Sequence, residues 1–158
     1  MITLKDYQLR VLDSLREFLR QCSRERNPSA AFQRVLERNG GQIFPYIPVA
    51  ASGLEPDMPY VCLRVPTGGG KTLLACHASG LAICELLQTE RAAVLWLVPS
   101  NTILEQTADA LRDPRHPYRR ALELACGAVE VITIEEALRL SRGRRAPAHP
   151  RHRRDRRG

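Results

Sequence analysis

The sequence predicts an α/β protein in which a parallel sheet is preceded by amphipathic helices, and three observations predict it. Short apolar runs suited to strands alternate with stretches of helical periodicity over residues 58–141. A glycine-rich turn joins the first of these runs to the helix after it. Ahead of them, residues 1–57 carry a long segment whose apolar residues recur at helical spacing.

In that first segment Leu4, Tyr7, Val11, Leu12, Leu15, Phe18, Leu19 and Cys22 fall on one helical face, with Thr3 and Asp6 placed for a capping box. A shorter helix is expected over Ala30–Arg38, after Pro28-Ser29 and before Gly40-Gly41. Prolines and glycines then break the pattern as far as Pro59, leaving a loop with a short extended piece around Ile43–Ile47. Tyr60–Val65 is the first strand expected, followed by the glycine-rich turn and a helix from about Lys71 to Gln88. Ala92–Val98 is continuously apolar, the form of a strand buried on both faces. Helices are expected at Thr102–Leu111 and Tyr118–Ala125, and a third strand at Val129–Ile134, with Thr133 and Glu136 placed to cap a last helix.

Charge at first suggests a nucleic-acid binder, because the chain carries +7. Residues 142–158 hold eight arginines against one acid, Asp155, which is the whole of that excess. Residues 1–141 are neutral overall, so the charge describes the tail and not the body. With no large aliphatic residue in 143–158, the tail is expected to stay disordered. Five cysteines, odd in number and never paired as C-x-x-C, argue against a zinc site or a disulfide framework. No apolar run reaches the roughly 18 residues that cross a bilayer, and the start lacks a signal-peptide layout. A cytoplasmic protein without membrane partners is the expectation.

The chemistry lies in Val65-Pro66-Thr67-Gly68-Gly69-Gly70-Lys71-Thr72. Consecutive glycines let a backbone fold around an anion with its N–H groups turned inward, and the helix that follows adds its positive dipole end. In such a loop Lys71 reaches the β- and γ-phosphates of ATP and the Thr72 hydroxyl ligates Mg²⁺. A chance Gly-Lys-Thr is the bland alternative, against which stand the strand expected before it and the helix after.

The segment Pro66–Thr72 resembles the phosphate loop of superfamily 2 helicases, although Val65 stands where the generic loop has glycine. More narrowly, the chain resembles the helicase-like subunit of type III restriction enzymes and related DEAD/DEAH-type proteins. Asp6-Tyr7-Gln8 is similar to the adenine-reading Q motif, which implies that Gln8 binds the base; as a helix residue alone, Gln8 would simply be solvated. Trp96–Thr107 resembles the motif that touches a nucleic-acid backbone, which implies contacts from Pro99, Ser100, Asn101 and Thr102. Ser or Asn at a helix start also caps it, and the two roles can coexist. Val131-Ile132-Thr133-Ile134 is similar to the strand-end threonine motif of the same track, with Thr133 equally readable as a cap. The resemblance implies an incomplete RecA-like domain over 58–141, with ATP and Mg²⁺ as cofactors. It also implies double-stranded DNA as partner, together with a modification or specificity subunit.

An ATPase of this kind also needs a strand-end acid for Mg²⁺ and water, an Asp-Glu pair in the resembled families. The nearest match is Glu135-Glu136 after Ile134, where Glu replaces Asp; otherwise these are first-turn helix acids. With the Arg/Pro/His-rich end, this leads to the expectation of a truncated or frameshifted motor, ATP-binding but inactive alone. The rivals are a non-enzymatic binder working through the arginine tail and another small P-loop NTPase. Against a small kinase or GTPase stand Pro66-Thr67, the Pro99-Ser100-Asn101 turn and the lack of a base-specificity motif.

Overall fold

The first helix forms where the apolar spacing asks for it. α1 (Asp6–Glu25) buries Leu12, Leu15, Phe18, Leu19 and Cys22 along one face. Its N-cap is Lys5, not Thr3, and the closing bond comes from the third helical residue: Gln8 Oε1 accepts the Lys5 N–H at 2.8 Å. Asp6 sits in the first turn, where the helix dipole favours an acid. In this computed structural model the described residues are 3–143 without 41, 43, 50–53 and 56, with side chains described to residue 139.

α2 (Pro28–Arg38) begins two residues ahead of the sequence expectation. Asn27 caps it by accepting the Ala30 N–H at 3.1 Å, and Pro28 takes the first helical position, where no N–H is missed. Ala31 and Val35 close on the α1 face. Phe18 and Phe32 meet edge to face at 6.3 Å, and Tyr46 lies against both. The Tyr46 hydroxyl accepts the Tyr60 N–H at 2.8 Å, so one side chain ties the long loop to this core. Ile43 of the extended piece expected there lies outside the described residues, and Phe44–Ile47 forms no strand.

α3 (Lys71–Leu81) runs into a π-helical turn (Ala82–Leu87) that ends at Gln88 in the left-handed region, φ 49°. Ala78, Leu81 and Leu86 join the core of α1 and α2, and Arg20 forks onto the Glu85 carboxylate at 2.7 and 3.1 Å. The opposite side of α3 presents Leu73 and Cys76 to a second core with Leu111 of α4 (Asn101–Arg112) and Ala121 and Leu122 of α5 (Pro117–Cys126). His116 caps α5 through Nδ1, which accepts the Tyr118 N–H at 3.3 Å. α6 (Ile134–Gly143) starts with the expected box: Thr133 Oγ1 accepts the Glu136 N–H and Glu136 Oε2 accepts the Thr133 N–H. It continues through Arg142-Gly143, where a tail was expected; residues from 144 on lie outside the described ones.

The parallel sheet is the expectation that fails. Among the described residues there is no strand, and the order of elements is helical throughout, so this chain does not show the α/β RecA-like sheet that the apolar runs predict. Tyr60–Val65, Ala92–Val98 and Val129–Thr133 do run without helical structure, but among the described residues no backbone hydrogen bonds join them. Each offers only some of its side chains to a core: Val61 to the first, Trp96, Val129 and Val131 to the second. Most of the rest face solvent, with Leu95 70% and Leu97 78% exposed, while Val65 and Val98 are half-buried. An apolar run reads as a strand buried on both faces only if cover exists on both, and helices cover one side of these runs. Among the described residues no helix is long and apolar enough to cross a membrane.

Candidate nucleotide site

The glycine-rich turn lies at the start of α3, and its three glycines are required for separate reasons. Gly68 and Gly70 have φ of 75° and 78°, where a side chain is strained. A Cβ on Gly69 would lie 2.5 Å from Val65 Cγ1 and 2.9 Å from the Pro66 carbonyl oxygen. On Gly70 it would lie 2.7 Å from Gln8 Nε2. Glycine is thus favoured by φ at Gly68 and Gly70 and by contact at Gly69, and successive glycines of this kind suit a turn that an anion approaches.

Within the turn the Gly69 N–H and the Lys71 ammonium both donate to the Pro66 carbonyl, each at 3.0 Å. Lys71 is exposed, so its side chain is held near the loop by a bond that a phosphate oxygen can replace. Thr72 follows in the first turn of α3, half-buried. Gly70 is the N-cap and has no side chain to satisfy the first-turn N–H groups, which therefore suit an anionic ligand. Beside the loop an open cleft of about 380 Å³ is lined by Leu63, Arg64, Val65, Pro66 and Lys71.

α1 reaches this loop directly. Tyr7 Oη and Gln8 Nε2 both donate to the Gly69 carbonyl at 2.9 Å. Gln8 is 6% exposed, so it is not the solvated helix residue that periodicity alone suggests. Its amide is oriented by two bonds, from Lys5 N–H to Oε1 and from Nε2 to Gly69, leaving one N–H and one lone pair. In the sequence Tyr7 stands on the apolar face of the first helix and inside the Asp6-Tyr7-Gln8 resemblance, but no role of its own was assigned to it.

The other candidates are not joined to this loop by hydrogen bonds among the described residues. Pro99, Ser100, Asn101 and Thr102 are exposed at the start of α4. Ser100 caps that helix, its Oγ accepting the Ile103 N–H at 3.4 Å. Thr133 caps α6 in the reciprocal arrangement with Glu136. Glu136 also takes Arg112 Nη2 at 2.6 Å. Its carboxyl is held below its ordinary range, first by the Thr133 N–H, then by the Thr133 hydroxyl and Arg112. The bonds from the Thr133 N–H and from Arg112 both fall on Glu136 Oε2, so that oxygen is engaged at the start of α6. Arg112, which also donates to the Val131 carbonyl, had no distinguishing signal in the sequence.

Two buried thiols are inert packing groups: burial pushes Cys22 up to about 11 and Cys76 to about 12. Among the described residues no cluster of three metal-ligating side chains occurs.

No curated protein and no solved structure matches the chain. The family model described as type III restriction enzyme, res subunit, matches residues 1–140. That span includes the loop, the Tyr7–Gln8 contact and both capped turns, and the chain accordingly belongs to the type III restriction enzyme res subunit family, a helicase superfamily 2 family.

Proposed function

We propose that this chain is an ATP-binding part of a DNA-dependent, helicase-like motor, with MgATP held at Val65–Thr72. The observation that carries the reading is the turn itself, where a Cβ at Gly69 would collide with Val65 and the Pro66 carbonyl, Gly68 and Gly70 take positive φ, and Lys71 bonds back onto the Pro66 carbonyl. Lys71 and the first-turn N–H groups of α3 would hold the β- and γ-phosphates, and the Thr72 hydroxyl would ligate Mg²⁺. Pro66, Thr67, Gly68, Gly69 and Gly70 shape the loop, and the remaining N–H and lone pair of Gln8 match the edge of adenine. Bound Mg²⁺ supplies charge neutralisation between the phosphates.

Double-stranded DNA is the proposed partner, touched through its backbone by Pro99, Ser100, Asn101 and Thr102 and at a second turn by Thr133. Exposed hydroxyl and amide groups at the start of α4 support this, since such groups donate to phosphate oxygens. A modification or specificity subunit belongs to the same reading, by family. The role proposed for Val65–Thr72 is nucleotide binding.

Calorimetric titration of MgATP and of duplex DNA into the wild type, Lys71→Ala and Asn101→Ala tests both parts. Lys71→Ala is expected to weaken MgATP about tenfold or more with DNA unaffected, removing a charge-assisted bond of roughly 1.5–3 kcal/mol. Asn101→Ala is expected to weaken DNA only. Unchanged MgATP affinity in Lys71→Ala overturns the assignment of the loop.

A further inference from the structure

We infer that Tyr7 is a positioning residue for the phosphate loop, acting with Gln8 through the single carbonyl of Gly69; the inference rests on the nucleotide reading above. Two donors from α1, at 2.9 Å each, converge on one oxygen 61 and 62 residues away in the chain. One such bond would dock a helix. Two on the same acceptor fix the direction in which that carbonyl points.

The direction matters because a peptide unit is planar and trans, so its C=O and the next N–H point opposite ways. Turning the Gly69 carbonyl toward α1 turns the Gly70 N–H away from α1. A glycine peptide flips cheaply, and Gly70 at φ 78° borders a conformation that glycine populates on either side of zero. A flip would exchange a donor for a carbonyl oxygen in a loop whose work is to attract an anion. Tyr7 Oη and Gln8 Nε2 oppose that flip before any ligand arrives, which lowers the ordering cost of binding.

The clamp acts on the phosphate end of a nucleotide and is blind to its base. Its signature is therefore a common loss of affinity, distinct from the loss of base discrimination that a pure adenine contact gives. Tyr7→Phe keeps the ring and removes only the hydroxyl. It is expected to weaken MgATP, MgGTP and magnesium tripolyphosphate by the same factor, about fivefold, leaving the ATP-to-GTP ratio unchanged. Gln8→Leu, which removes the other donor, is expected to weaken tripolyphosphate as well, while also narrowing the ATP-to-GTP ratio.

Titrations of the three ligands into the wild type, Tyr7→Phe and Gln8→Leu, beside melts without ligand, decide the matter. A lower ligand-free melting temperature with tripolyphosphate affinity intact means the bonds only dock α1, and the inference fails. Loss confined to ATP overturns it in favour of base contact alone. If the wild type binds none of the three, the nucleotide reading itself is wrong and this inference goes with it.

Discussion

Gly69 shows what a single position contributes when its surroundings leave no choice. Val65, Pro66 and the two donors from α1 occupy the space around it, so its identity follows from contact as much as from backbone freedom. The run Gly68-Gly69-Gly70 with Lys71 was legible in the sequence because its chemistry is local. The bond from Gln8 to Gly69 was not, since no periodicity links residues that far apart. Glu136 makes the same point from the other side: spacing from Thr133 announced the capping box, while the Arg112 contact waited for the structure. Because the folded carboxyl is held below its ordinary value of 4.5, its contribution is present above that value and is lost as pH falls through the depressed folded value. An acid titration of helix content should show α6 loosening below about 4.5. Glu136→Gln should remove that acid-dependent step, and an identical acid profile in the variant would refute the assignment.

Helices were the legible elements, strands were not. Four helices are capped by side chains at their starts, from Asn27, Ser100, His116 and Thr133, whereas α1 takes Lys5 in place of the expected Thr3. How helices pack against one another is less visible, and Gly80 is the clearest case. In sequence it looks like a weak point in α3, since glycine costs roughly 1 kcal/mol against alanine in a helix interior. In the structure a Cβ there would overlap the Ala125 Cβ, so the glycine is what lets α3 and α5 approach. Overpacking costs typically 1–3 kcal/mol, more than the propensity gained, so Gly80→Ala is expected to destabilise by about 1 kcal/mol. Adding Ala125→Gly should recover much of that in denaturant melts, a coupling that independent sites would not show. Additive losses in the double variant would rule out the close contact as the cause.

At the scale of the molecule, two helical cores among the described residues share α3, one completed by α1 and α2, the other by α4 and α5. Three extended apolar segments lie along them with their other side chains uncovered. Val94, Leu95, Leu97 and Ile132 are all exposed, on backbone that no hydrogen bond pairs among the described residues, an arrangement that favours association through the backbone and through apolar surface. Light scattering should therefore register concentration-dependent self-association of the wild type. Leu95→Lys with Leu97→Lys is expected to suppress it while lowering the melting temperature little, because both side chains are already in water. Equal scattering from the two proteins would mean these segments are not responsible.

The sequence by itself determined which segments are helical, the glycine-rich turn ahead of α3, and which family the chain resembles, because all three depend on neighbours within a few positions. Tertiary structure decided what the apolar runs become and what the cradle leans on. A run such as Ala92–Val98 states only that it prefers to leave water; whether it pairs or merely lies across helices depends on what else covers it. Gln8 and Tyr7 meet Gly69 only because α1 packs on α3, and that contact turns a glycine-rich turn into a braced one.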